Sequence, residues 1–272
     1  MEKFKLGINS DRIDLHVAGS LIVAALQMEN IELIPKPRWN ETDLLLNIDS
    51  IHNTQLFRGK KLTAYWEIDD NLHQGKNEQY YNVDLLYICS KQRLFQYPKY
   101  ARYLPVAMEP TIHYRWETIP MDYDIAFLGN LSGNQVYSFR KQVIEAFKER
   151  YNCLFGTCQP QDYAKMLSQG KLLFNILPQL ENDIPLVNAR FMESMGIGCL
   201  LNNYNPVLDD FAQEGRDYVG FTTIGEAMNK VDYLLANDEA RQIIANNARA
   251  NVLAHHTWEI RLTQIINDAR NL

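Results

Sequence analysis

The chain has 272 residues, 46% hydrophobic and 22% charged, the balance of a soluble globular protein long enough for two ordinary α/β domains. A formal net charge of −6 argues against generalised polyanion binding, although residues 1–110, with 13 basic against 14 acidic side chains, leave an acidic partner more room than residues 111–272, with 14 against 19. Cys89, Cys153, Cys158 and Cys199 form no CxxC pair or His-rich ligand spacing. With no signal-like apolar core in MEKFKLGINS and no apolar run long enough for a bilayer, the expected location is cytoplasmic.

From the amino end, Phe4–Ile8 reads as a strand and Leu15–Met28 as the helix after it. Strands are expected at Ile31–Ile34, Asp43–Ile48, Lys61–Ile68 and Val83–Cys89. The runs LLLNI and DLLYIC lack alternation, as strands buried on both faces should. The proline-punctuated stretch from Pro105 to Pro120 reads as a linker. Tyr123–Leu128 then starts a second series, with strands at Cys153–Phe155, Leu172–Asn175, Cys199–Asn202 and Tyr218–Phe221. Helices are expected near 136–151, 161–168, 186–195, 225–236, 238–253 and 257–270. Short strands alternating with helices predict parallel sheets with crossover helices, and ligands at the carboxyl ends of the strands.

The most informative segment is PLVNARFMESMGIGCLL, residues 185–201. Pro185 suits a first helical turn, where its missing N–H costs nothing. The free amides after it, with the helix dipole, make a site for a diphosphate. Arg190 and Glu193 are three apart and share a face; the one offers paired donors to phosphate, the other can accept both hydroxyls of a ribose. An ordinary surface pair on a glycine-stopped helix is the competing reading.

RFMESMGIGCLL, followed by EGRDYVGF, ANDEAR and HHTWEIR, resembles the C-terminal half of CgeB-like glycosyltransferases of the GT-B group. DIAFLGN with Arg140, GKLLFN at 170–175 and YLPVAMEP at 103–110 extend the likeness over roughly residues 83–270. The resemblance implies an α/β fold of two facing Rossmann-like domains. It assigns an acceptor-side domain at 1–105, a nucleotide-sugar domain at 121–255, and a C-terminal helix at 256–272 returning to the first. It also implies sugar transfer, hexosyl or pentosyl, from a nucleotide-sugar (a UDP-sugar first) with no cofactor or metal. The acceptor stays open between a surface glycan or lipid-linked saccharide and a hydroxylated base in DNA. By the same resemblance Glu193 holds the ribose and Arg190 approaches the donor phosphates or sugar. Gly129 and Asn130 begin a loop where glycine lets the donor reach the backbone, and Lys171 and Asn175 lie at the start and end of a strand next to the donor pocket. One departure is plain: the E-x7-E pattern of many retaining GT-B enzymes meets Pro185, not glutamate, eight before Glu193. Retention and inversion both stay open.

For a base, Asp69 and Asp70 follow a strand end, with turn-forming aspartates as the alternative. His16 titrates in a suitable range, beside a helix-capping Asp14. Lys91, Arg93, Lys99 and Arg102 interleave with aromatics in KQRLFQYPKYARY, which suits an acceptor bearing phosphates, or a basic face packing its rings inward. His255 and His256 read as structural. A nucleotide-sugar epimerase on the same fold and a non-catalytic nucleotide- or sugar-binding protein are the alternative functions.

Overall fold

The computed structural model describes residues 2–10, 17–49, 61–68, 82–131, 138–177 and 186–272. The chain divides into two compact units, Met1–Glu109 with Thr257–Leu272, and Pro110–His256.

The first unit is built on a six-stranded sheet. Its strands are β1 (Phe4–Ser10), β2 (Ile31–Leu33), β3 (Leu44–Ile48), β4 (Leu62–Glu67), β5 (Leu85–Ile88) and β6 (Arg102–Tyr103). They stand in the order β2-β1-β3-β4-β5-β6, every neighbouring pair parallel. All five residues of β3 and all four of β5 are buried, which is why these runs are apolar throughout rather than alternating. β6 has no counterpart among the sequence expectations. It is a two-residue edge strand, too short to show a period, and follows a 3₁₀ helix at Lys91–Gln96.

Helix α1 (Ala18–Gln27) crosses from β1 to β2 and packs on the chain's last helix, Trp258–Arg270. That last helix is fastened to the first unit at several points. The Trp258 ring is fully buried, edge-on to Trp66 with centroids 5.7 Å apart. Arg261 Nε donates to the Pro105 carbonyl at 2.9 Å. Asp268 accepts from the Tyr87 hydroxyl at 2.8 Å and pairs with Arg102 at 2.6 Å. The stretch expected to be a linker is largely packed. Val106, Ala107 and Met108 are buried in the first unit, and His113 in the second.

The second unit carries a five-stranded sheet of β7 (Tyr123–Leu128), β8 (Cys153–Gly156), β9 (Gly170–Asn175), β10 (Leu200–Asn203) and β11 (Val219–Phe221). The order is β11-β10-β9-β7-β8, again parallel throughout. Counted from its own first strand, each sheet runs second, first, third, fourth, fifth, with a sixth added at the end of the first sheet; this is the doubly wound order in which a crevice opens at the carboxyl ends where the winding reverses. Its helices are α2 (Ser138–Arg150), α3 (Tyr163–Leu167), α4 (Ala189–Ile197), α5 (Ile224–Ala236) and α6 (Asp238–His255); the last helix of the chain is therefore α7. In the core of this unit Phe127 and Phe147 meet Phe174 edge-on, and Phe174 stacks on Phe221. Gly170 is required by packing, since a Cβ there would stand 2.6 Å from the Ala126 Cβ.

Candidate functional site

Helix α4 is buried along nearly its whole length: every residue from Phe191 to Ile197 is inside the second unit. Only Asn188, Ala189 and Arg190, its amino end, are half exposed. Asn188 caps it, its side-chain oxygen accepting from the Phe191 amide at 3.2 Å. No acceptor among the described residues takes the Ala189 or Arg190 amide, which leaves two first-turn donors for an anion.

Arg190 adds a formal charge at the same place. It makes no ion pair among the described residues, and its guanidinium carbon lies 3.2 Å from where a Cβ at Gly129 would be. Gly129 itself follows β7 and is held by its amide on the Gly156 carbonyl at 2.7 Å. The missing side chain is what lets the guanidinium lie against the backbone there. Asn130 is exposed, and its carbonyl accepts from the buried Arg140 at 2.5 Å. Gly129 and Arg190, 61 positions apart in sequence, thus meet at the carboxyl end of the sheet.

Asn175 closes β9 at that same end. Its amide nitrogen donates to Asn202 Oδ1 at 2.8 Å and to Asn188 Oδ1 at 3.3 Å. Asn202 passes the connection to Asn203 through the Asn203 carbonyl at 2.7 Å, and Asn203 Oδ1 accepts the Leu177 amide at 2.7 Å. Sequence reading singled out Asn175 but not Asn188, Asn202 or Asn203. The doublet at the end of β10 was the available signal, because buried amides need partners.

Glu193 is turned inward. It is 1% exposed, with a carboxylate oxygen 3.6 Å from His113 Nε2, and His113 is equally buried. Tyr163 lies alongside, edge-on to His113. Burial and then the Glu193 charge push the Tyr163 hydroxyl well above the usual phenol range, while Arg190 and a hydrogen bond with Ser194 pull the other way. The carboxylate expected to meet a ribose is therefore not presented at the surface; one helical turn separates it from the exposed Arg190.

Lys171 lies at the start of β9, as expected, but its charge is taken up there by a neighbouring strand. It sits at the opposite end of β9 from Asn175, roughly 13 Å away at 3.3 Å per residue, paired with Asp124 at 2.8 Å. Burial pushes the Asp124 carboxyl up, but hydrogen bonds from Lys171 and the Asn152 amide outweigh it and hold it below the usual range. The parallel register puts β7 and β9 side by side at their amino ends, so Lys171 finds Asp124 and is drawn away from the helix start.

The four cations of the basic aromatic stretch do not form one open face. Arg93 is buried, Arg102 is paired with Asp268, and only Lys91, Lys99 and Arg102 reach the exterior. Tyr97, Leu94 and Ala101 pack on the Tyr65, Leu86 and Ile88 cluster, leaving Phe95 and Tyr100 exposed. The reading in which the basic face turns its rings inward holds for part of the segment. His256 is buried, with Nε2 3.1 Å from the Phe211 carbonyl, and Thr257 caps α7. The candidate bases Asp69, Asp70 and His16, with Asp14 and Pro185, lie outside the described residues. A cavity of about 340 Å³ in the first unit, at the ends of β1 and β2, was not foreseen; Asn9, Lys36 and Trp39 are among its lining.

A sequence profile described as "Glycosyl transferase-like" matches residues 121–267. No curated protein matches the chain. Among solved structures, sucrose-phosphate synthase from Thermosynechococcus elongatus superposes with a TM-score of 0.65 at 11% identity, over 99% of both chains. The β-glucosyltransferase of phage T4 in complex with UDP-glucose gives 0.64 at 13% identity, over 99% of this chain and 100% of that one. HepE of Anabaena in complex with UDP gives 0.62 at 10% identity, over 99% and 100%. At such identities the likeness is one of fold, and the fold is GT-B.

Proposed function

This chain belongs to the glycosyl transferase-like family, and from that premise we propose that it moves a sugar from a UDP-sugar to an acceptor. The donor diphosphate sits at the amino end of α4. The observation that carries this is the exposure pattern of that helix: a buried rod whose open end offers two amides and an arginine, with no ion pair among the described residues, beside a glycine.

The chemistry follows from where charge develops. As the bond from the anomeric carbon to the diphosphate breaks, the sugar gains positive and the leaving group negative charge. The Ala189 and Arg190 amides, the α4 dipole and the Arg190 guanidinium stabilise that negative charge, and each interaction strengthens as the bond lengthens. A base, which Asp69, Asp70 or His16 would supply in this proposal, takes the acceptor proton. The buried Glu193–His113 pair supports α4 from beneath; direct contact with ribose requires its carboxylate to be uncovered on binding. The branch suggested by the CgeB-like motifs is part of this proposal. So is the acceptor, a surface glycan or lipid-linked saccharide ahead of a hydroxylated base in DNA. A DNA-modifying β-glucosyltransferase shares the fold at 14% identity, but burial of Arg93 and pairing of Arg102 reduce the basic surface that a DNA acceptor would need here.

A thermal-shift screen of nucleotide-sugars, followed by donor turnover with and without candidate acceptors, tests the reading. Selective stabilisation by UDP-sugars and acceptor-dependent release of UDP are expected. Conversion of the donor alone to an epimer, or stabilisation without any turnover, would transfer the case to the alternative functions.

A further inference from the structure

The asparagines at the carboxyl ends of β9 and β10 are buried, yet their hydrogen bonds do not simply close the sheet. Asn175 spends both amide hydrogens outward from its strand, one on Asn202 and one on Asn188. Asn188 Oδ1 is thereby shared between Asn175 and the Phe191 amide. Orientation is dictated: turning the Asn175 amide over would set its oxygen against two acceptor oxygens. Its own oxygen is left buried with no hydrogen-bond partner among the described residues, which costs the fold the desolvation of that group. A side chain kept at that cost is bound to what its nitrogen holds.

We infer that Asn175 is a positioning residue: it fixes the cap of α4 and so aims the Ala189 and Arg190 amides at the donor diphosphate. The inference rests on the donor reading above. Without the tie, Asn188 can turn its amide or leave the Phe191 N–H, the first turn loosens, and the two amides no longer converge. The nucleoside end of the donor does not depend on these amides, so the loss falls on the phosphates alone.

The test is a titration of the full chain with UDP and, separately, with uridine. Asn175→Asp keeps the shape but removes both donors and places a carboxylate next to two acceptor oxygens. Expected are a UDP affinity at least 10-fold weaker and a uridine affinity unchanged within twofold. Equal weakening of both ligands would make Asn175 a general structural residue and overturn the inference, as would unaltered UDP binding. Should Asn175→Asp not fold, Asn188→Ser carries the test. Its hydroxyl caps the Phe191 amide but is too short to keep the link to Asn175, so UDP should weaken at least threefold with uridine unaffected; unchanged UDP affinity overturns the idea. Absence of UDP binding by the unaltered chain is a separate outcome, which brings down the donor reading and this inference with it.

Discussion

The two units use one strand order for different ends, and the asparagine on the third strand of each shows the difference. In the first unit Asn47 on β3 accepts from Asn9 at 2.7 Å and donates to the Ala64 carbonyl at 3.0 Å, so these bonds stay within the sheet. In the second, Asn175 on β9 makes one such bond within the sheet, to Asn202 at 2.8 Å, and a further one out of it, to the cap of the following helix at 3.3 Å. The first unit gains cohesion from outside its own strands, through α7. The second ties a buried side chain of its sheet to one helix start, through Asn175 and the Asn188 cap.

This contrast breaks most readily at two buried anchors. Trp258→Ala in the first unit should cost about 3–5 kcal/mol by opening a cavity beside Trp66. Glu193→Ala in the second should cost a similar ~3–5 kcal/mol by leaving a cavity between His113 and Tyr163 beneath α4. Denaturant unfolding followed with and without UDP separates them: UDP should still stabilise the Trp258 variant and fail to stabilise the Glu193 variant. If UDP rescues both equally, the division of labour is wrong.

Arg190→Ala is the sharper case, because Arg190 is half exposed and carries no ion pair among the described residues. Stability should move by less than ~0.5 kcal/mol, while UDP affinity falls by about 1.5–3 kcal/mol, the worth of hydrogen bonds to a charged group. Calorimetry measures both. Gly129→Val should weaken UDP as well, but with a loss of stability that Arg190→Ala lacks, because its Cβ would stand 2.9 Å from the buried Phe127 ring as well as 3.2 Å from the guanidinium carbon.

Smaller effects come from groups remote from the helix start. Glu226, held down to about 2 by hydrogen bonds from Lys230 and the Thr222 amide, has a folded-state value below its ordinary 4.5. Its contribution is therefore complete above the ordinary value and lost as pH falls through about 2. It is largely solvent-facing, so the effect is modest: the stabilities of the protein and of Glu226→Gln should converge between pH 5 and pH 2. The least effect is expected from thiol alkylation. Burial, with Asp124 nearby, pushes the Cys153 thiol up to about 12, and burial does the same to Cys199. On the order of one part in 10⁴ is thiolate at pH 8. Mass spectrometry should show slow labelling, with UDP binding unchanged.

Much of the fold was legible because parallel strands covered on both faces are written as uninterrupted apolar runs, and because glycines stop α4; its start was read from Pro185, three residues ahead of the Asn188 cap. The site was legible only where a group's environment is local. Arg190 in the first turn of α4 is such a case. Lys171 was not, since its partner Asp124 comes from a neighbouring strand and only the register brings them together. Arg93 and Arg102 looked like free charge until tertiary packing buried one and α7 supplied Asp268 to the other. The inward turn of Glu193 depends on His113, 80 residues earlier, and no helical period announces it.

Backbone amide NMR shifts on addition of UDP would probe the helix-start assignment most directly. The account predicts that Ala189, Arg190 and Gly129 shift most, and that uridine leaves Ala189 and Arg190 nearly still. UDP binding with its largest shifts elsewhere, and none at Ala189 and Arg190, would contradict it.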